Sequence, residues 1–109
     1  MPYSEQDSSL TREQVDQLPG KVVLEFGAEW CGFCQAAAPH VEKALAAEPD
    51  IRHIKIEDGP GKPLGRSFRV KLWPTLVLLD DGQVVEQLVR PAAKEIGEGI
   101  GKLAKAPPG

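Results

Sequence analysis

Val22, Val23, Leu24 and Phe26 form a short continuous apolar run, the pattern of a strand buried on both faces. Lys21 to Gly27 is therefore expected as a strand, with Glu25 in its middle. An ionised carboxylate taken out of water without a partner loses several kcal/mol or more of hydration, so Glu25 must protonate or be paired. Cys31 then opens a helical run through Ala36, Ala37, Ala38, Val41, Ala44, Leu45 and Ala47, closed by Pro49-Asp50. Pro39 inside that run removes one backbone bond and is expected to kink it.

Ile51 to Ile56 alternates apolar and polar residues, as a strand with unequally buried faces does. Asp58-Gly-Pro-Gly-Lys-Pro63 consists of loop-forming residues, and Leu64 to Val70 predicts a short helix. Thr75 to Leu79 and Gln83 to Val89 predict strands, joined by Asp80-Asp81-Gly82 as an antiparallel hairpin. Ala92 to Ala104 sets Ile96, Ile100, Leu103 and Ala104 on one helical face. Gly97, Gly99 and Gly101 each weaken that helix by about 1 kcal/mol relative to Ala, so it depends on packing. Upstream, Thr11 and Gln14 have the spacing of a capping box, predicting a helix to about Leu18 that Pro19-Gly20 stop.

The resulting order is helix, strand, helix, strand, helix, strand, strand, helix. A strand-helix-strand passage of this length is a right-handed parallel crossover, and the hairpin adds antiparallel strands. The expected fold is α/β: a central mixed sheet flanked by helices on both faces, in a single domain over residues 1–109. The polar stretch 1–9 and residues 105–109 are expected as loose tails.

Composition narrows the function. A chain of 109 residues with 41% hydrophobic and 27% charged residues is ordinary for one soluble domain. The net charge of -3, with basic residues scattered among acids, argues against a nucleic-acid surface. No segment approaches the roughly 18 apolar residues of a membrane span, so no membrane partner is expected. MPYSEQDSS lacks the basic and apolar regions of a secretory signal, which predicts a cytoplasmic protein.

The two cysteines, Cys31 and Cys34, are separated by two residues. So small a ring contributes little cross-linking entropy, which points to chemistry and away from architecture. Cys31 lies where a strand ends and a helix begins, so free backbone N–H groups and the helix dipole favour its thiolate. Cys34 lies on the same helical face one turn deeper. The spacing suits a two-step exchange: Cys31 attacks a disulfide, and Cys34 then displaces the substrate from Cys31, leaving a Cys31–Cys34 disulfide. One thiol is expected exposed and the other shielded.

Glu29-Trp30-Cys31-Gly32-Phe33-Cys34 after an apolar strand, Pro39 in the helix and Trp73-Pro74-Thr75 before a strand together resemble the thioredoxin family, from about Thr11 to Leu103. The resemblance implies the thioredoxin fold, with four or five strands because the family's first strand is not evident before Thr11. It implies a cis Pro74 facing the cysteines. It places Glu25 beneath Cys34 as proton acceptor, with a pKa raised by desolvation, and Lys55 near Glu25. Trp30 is expected to cover the edge of the site, and Gly32, Phe33, Trp73, Pro74, Thr75 and Arg90 to contact substrate. Three positions depart from the family: Phe33 stands for proline, Trp73 for a smaller aliphatic residue, and Arg90-Pro91 for a Val/Ile-Gly type of turn.

The implied activity is thiol-disulfide exchange on protein disulfides by a monomer, with recharging by a thioredoxin reductase and no cofactor. A non-catalytic module binding partners through the same groove is the alternative. Zinc normally requires four Cys/His ligands; His40 and His53 lie on different elements from one another, so no metal site is expected and both histidines are expected to be solvated. The glycines around Lys102 and Lys62 fail as phosphate loops, since no Ser or Thr follows either lysine.

Overall fold

A computed structural model describes residues 3–107; the tail positions 1–2 and 108–109 lie outside the described residues. The elements are α1 (Glu5–Ser8), α2 (Arg12–Asp16), β1 (Lys21–Gly27), α3 (Gly32–Ala46), β2 (Arg52–Glu57), α4 (Pro63–Ser67), β3 (Thr75–Asp80), β4 (Gln83–Val89) and α5 (Ala93–Lys105). The described residues form one four-stranded sheet in the order β2-β1-β3-β4. β1 and β2 run parallel, and the other two pairings are antiparallel.

Alternation along β1 divides the core. Val22, Leu24 and Phe26 pack with Ile54 and Ile56 against Val15 of α2 and Leu64 of α4. Val23 faces the other way, into a cluster with Val41 and Leu45 of α3 and Ile96, Ile100 and Leu103 of α5. Glu25 shares the Val23 face, because side chains two apart on a strand point the same way. The register sets Val23 opposite His53 and Glu25 opposite Lys55, so these β2 residues share that face as well.

The helix ends have local causes. Thr11 Oγ1 accepts from Gln14 N at 3.1 Å and Gln14 Oε1 from Thr11 N at 2.9 Å, forming the expected capping box. Lys21 Nζ donates to the carbonyl oxygens of Ala104 and Ala106, placing a cation at the C-terminus of α5. α4 ends at Ser67, earlier than the expected Val70, because the chain closes in a Schellman motif. Val70 N donates to Gly65 O at 2.9 Å and Arg69 N to Arg66 O at 3.0 Å, with Arg69 at φ 60°.

From Tyr3 on, the N-terminal stretch makes defined contacts that its polar sequence does not announce. Ser4 Oγ caps α1 by accepting from Asp7 N at 3.0 Å, and Ser8 Oγ accepts from Glu57 N at 2.9 Å, at the end of β2. These polar side chains close backbone donors without burying an apolar face of α1, so hydrophobic periodicity carries no trace of the helix.

The hairpin turn fixes β3 to β4. Asp80 pairs with Gln83, leaving Asp81 and Gly82 as a two-residue turn at φ 49° and 81°, the left-handed pair of a type I′ turn. Its backbone also braces the start of β1, since Asp81 N donates to Gly20 O at 2.9 Å and Asp81 Oδ1 accepts from Gly20 N at 2.6 Å. A Cβ on Gly82 would stand 1.9 Å from the Asp16 carbonyl oxygen. Gly82→Ala must therefore pay for a positive φ and displace the end of α2. The expected loss is about 2 kcal/mol or more. Urea unfolding of the two proteins measures it, and a difference under half a kcal/mol would contradict this packing.

Candidate active site

The end of β1 and the start of α3 build the site. Cys31 is the N-cap of α3, with extended backbone at φ -81° and ψ 118°. Its sulfur accepts from Cys34 N at 3.2 Å, so one of the free N–H groups at the helix start points at the reactive atom. The preceding loop is held by Cys31 N donating to Ala28 O at 3.2 Å and by Gln35 Nε2 donating to Glu29 O at 2.7 Å. Both cysteines are free thiols.

The second wall comes from the segment before β3. The Trp73-Pro74 bond is cis. Thr75 Oγ1 donates to Leu72 O at 2.6 Å and Thr75 is buried, so its side chain points inward. Arg90, at φ 45°, donates from its backbone to Pro74 O at 2.8 Å and from Nε to Trp73 O at 2.9 Å. Its guanidinium lies 4.2 Å from the centre of the Phe33 ring, a cation–π contact that joins two of the three departures from the family pattern.

The third departure changes access. Trp73 packs on Ala28, Cys31 and Cys34. Its indole Nε1 donates to Asp58 Oδ2 at 2.9 Å, and its ring meets Trp30 edge to face at 5.5 Å. Cys31 is consequently only 7% exposed, against 4% for Cys34. The expectation of one exposed thiol fails: both cysteines are buried, and the Trp73 indole before Pro74 packs against them. Trp30 and Phe33, 76% and 60% exposed, form the outer apolar rim, with Gly32 between them in sequence and also exposed.

Behind Cys34 lies the buried acid. Glu25 is 1% exposed. Its Oε1 is 2.7 Å from His53 Nε2, and Lys55 Nζ is 4.0 Å from Oε2. His53 is therefore not solvated as expected: the parallel register swings it onto the face of β1 that carries Glu25. His40 does remain exposed. Glu25 Oε2 is buried without a hydrogen-bond partner, leaving an acceptor open beside Lys55. Burial, then the hydrogen bond with Cys31, pushes the Cys34 thiol up to about 12, while the Ala28 backbone works in the opposite direction. The structure thus gathers Cys31, Cys34, Trp30, Phe33, Trp73, Pro74 and Arg90 at one end of the sheet, with Glu25 and Lys55 behind. Sequence reasoning missed Asp58, His53 and Tyr3, which lies beside Cys34 and Lys55 around a cavity of about 170 Å³.

A family profile described as Thioredoxin matches residues 4–101. The chain belongs to the thioredoxin family. Thioredoxin 2 of Pseudomonas aeruginosa PAO1, solved in its reduced form, superposes with a TM-score of 0.84 at 45% identity over 95% of each chain. The mitochondrial thioredoxin-3 of Saccharomyces cerevisiae is 35% identical over 79 residues, 71% of this chain and 62% of that protein. The match thus spans somewhat under two thirds of that relative. Another similar structure concerns thiol resolution in a yeast mitochondrial 1-Cys peroxiredoxin through glutathione/thioredoxin systems, with a TM-score of 0.77, 29% identity and 87% and 91% coverage.

Shielding by Trp73 has a direct consequence for the family chemistry. Trp73→Val removes the indole from above Cys31, and the sulfur should alkylate several-fold faster with iodoacetamide at fixed pH. Labelling no faster than in the wild type would mean that the indole does not gate the thiol.

Proposed function

We propose that the protein is a thiol-disulfide oxidoreductase that reduces or exchanges protein disulfides through the Cys31–Cys34 couple, working in a reducing cytosol as a monomer recharged by a thioredoxin reductase. The observation that carries this reading is the Cys31 sulfur at the helix N-cap with Cys34 N–H directed at it, and a deeper thiol beside a buried carboxylate. The Cys31 thiolate attacks one sulfur of the substrate disulfide, forming a mixed disulfide and releasing the other sulfur as thiolate. Cys34 then loses its proton to Glu25 and attacks Cys31, so the substrate leaves reduced and the two cysteines are oxidised. Trp30, Phe33 and Arg90 form the docking rim. The peroxiredoxin connection of the yeast neighbour favours peroxide-reducing enzymes among the substrates.

Cys31→Ser should abolish disulfide reduction in a dithiothreitol-coupled insulin assay, and a wild type no faster than that variant would leave only a binding module. Glu25→Leu tests the base. With the Cys34 thiol pushed up to about 12, only a minute fraction is ionised at neutral pH, and that fraction grows tenfold per pH unit below the pKa. Without the carboxylate, the second step should be slow at pH 7 and climb with that slope, whereas the wild type should depend less on pH. Equal rates from pH 6 to 9 would remove Glu25 from the mechanism.

Phe33 sets the poise. Relative to proline it supplies one more N–H at the start of α3 and leaves the turn less rigid. Each effect favours the dithiol. The potential is expected to lie about 20 to 50 mV above the roughly -270 mV of thioredoxin, about 1 to 2.5 kcal/mol for two electrons. Phe33→Pro should be more reducing in a glutathione equilibrium titration, and an unchanged or less negative value would refute the argument.

A further inference from the structure

Gly27, the last residue of β1, lies on the Glu25 face directly below the site. A Cβ built there would stand 2.6 Å from the Cys34 sulfur and 2.6 Å from the Tyr3 hydroxyl oxygen. The missing side chain is thus what lets a phenol from the N-terminal segment reach the resolving thiol. The Tyr3 hydroxyl is buried, and the group within its reach is the Cys34 sulfur. Lys55 Nζ lies 4.5 Å from the centre of the Tyr3 ring, and the same ammonium stands 4.0 Å from Glu25 Oε2. Tyr3, Lys55 and Cys34 together line the cavity of about 170 Å³ that opens between α3 and β2.

We propose that Tyr3 is a catalytic residue of the second exchange step: its hydroxyl donates a hydrogen bond to the Cys34 sulfur as that sulfur becomes a thiolate. This rests on the exchange reading above. A buried thiolate needs donors, because desolvation penalises the charged form. The Ala28 backbone supplies one, and the buried phenol beside the sulfur is placed to supply a second. The lysine cation against the ring polarises the O–H and makes it a stronger donor. Burial, followed by the neighbouring Cys34 sulfur and Glu25 carboxylate, holds the phenol well above its ordinary titration range, so it remains a donor throughout the neutral range.

The step balances without proton transfer from Tyr3. The Cys34 proton goes to Glu25, the Cys34 electron pair forms the bond to the Cys31 sulfur, and the departing substrate sulfur carries away the pair of the broken S–S bond. Tyr3 keeps its proton and stabilises the charge while it resides on Cys34. The other titratable groups around this sulfur are Cys31 at the N-cap of α3 and Glu25 on β1, with Lys55 of β2 across the cavity and His53 on the far oxygen of Glu25.

The test uses Tyr3→Phe, which keeps the ring over Gly27 and Lys55 and removes only the hydroxyl. An aromatic disulfide whose thiolate is coloured, such as 5,5′-dithiobis(2-nitrobenzoate), separates the two steps in stopped flow. Attack by Cys31 releases the first thiolate, and resolution by Cys34 releases the second. The first phase should be unchanged and the second slowed about tenfold at pH 7, the scale of a lost hydrogen bond to a charged group. The pH profile of the second phase should move to higher pH, which a purely structural role would not produce. An unchanged second phase, or equal slowing of both phases, would overturn the proposal. A wild type that releases no second thiolate would instead overturn the exchange reading itself.

Discussion

The arrangement behind the cysteines follows from the difficulty of keeping Glu25 inside. A carboxylate at 1% exposure must recover what it loses in leaving water, and a single contact does not suffice. β2 therefore gives up two inward positions to polar side chains: His53 meets one oxygen at 2.7 Å, and Lys55 approaches the other at 4.0 Å. Lys55 in turn requires a partner for the rest of its charge and finds the ring of Tyr3, which draws the N-terminal segment across the end of β2. Ser8 completes that docking by accepting from Glu57 N. A segment without a buried apolar residue in α1 is thus ordered by one buried acid, and its consequences reach the surface.

Much of the fold was legible because the elements obey simple periods. β1 is an apolar run, α3 begins at its N-cap cysteine, and Asp81-Gly82 dictates its own turn. The capping box at Thr11 emerged with both hydrogen bonds formed. What stayed hidden depends on juxtaposition. Tyr3 and Ser8 lie in a polar stretch with no period, and their partners, at Lys55 and Glu57, are some fifty positions away in sequence. His53 did leave a signal: it is two residues from Lys55 and so shares its strand face, but only the parallel register of β2 on β1 brings that face to Glu25. Gly27 was another, since a glycine closing an otherwise large-residue strand marks a close approach by something else.

The three departures from the family pattern proved to be one structure. Trp73, Phe33 and Arg90 were read separately from the sequence, yet Arg90 touches the other two, binding Trp73 O and covering the Phe33 ring. Asp58 secures the far side of the indole. The gain from a bulky wall is a drier environment in which charge on sulfur interacts more strongly with the helix start. The penalty is reduced access, with Cys31 nearly as buried as Cys34.

These two halves of the site impose opposite demands on the same short helix turn. The front half shields the attacking sulfur, so a substrate must displace or align with the Trp30 and Trp73 rings before chemistry starts. The rear half must make a thiolate from a deeply held thiol, and there burial opposes the reaction. A protein that only gripped its partners would have no reason to place an ionisable acid, a lysine and a buried phenol around the inner sulfur, because each is harder to bury than a packed hydrocarbon of similar size. On the proposed exchange reading they act together to remove a proton from Cys34 and hold the resulting charge until the bond to Cys31 forms.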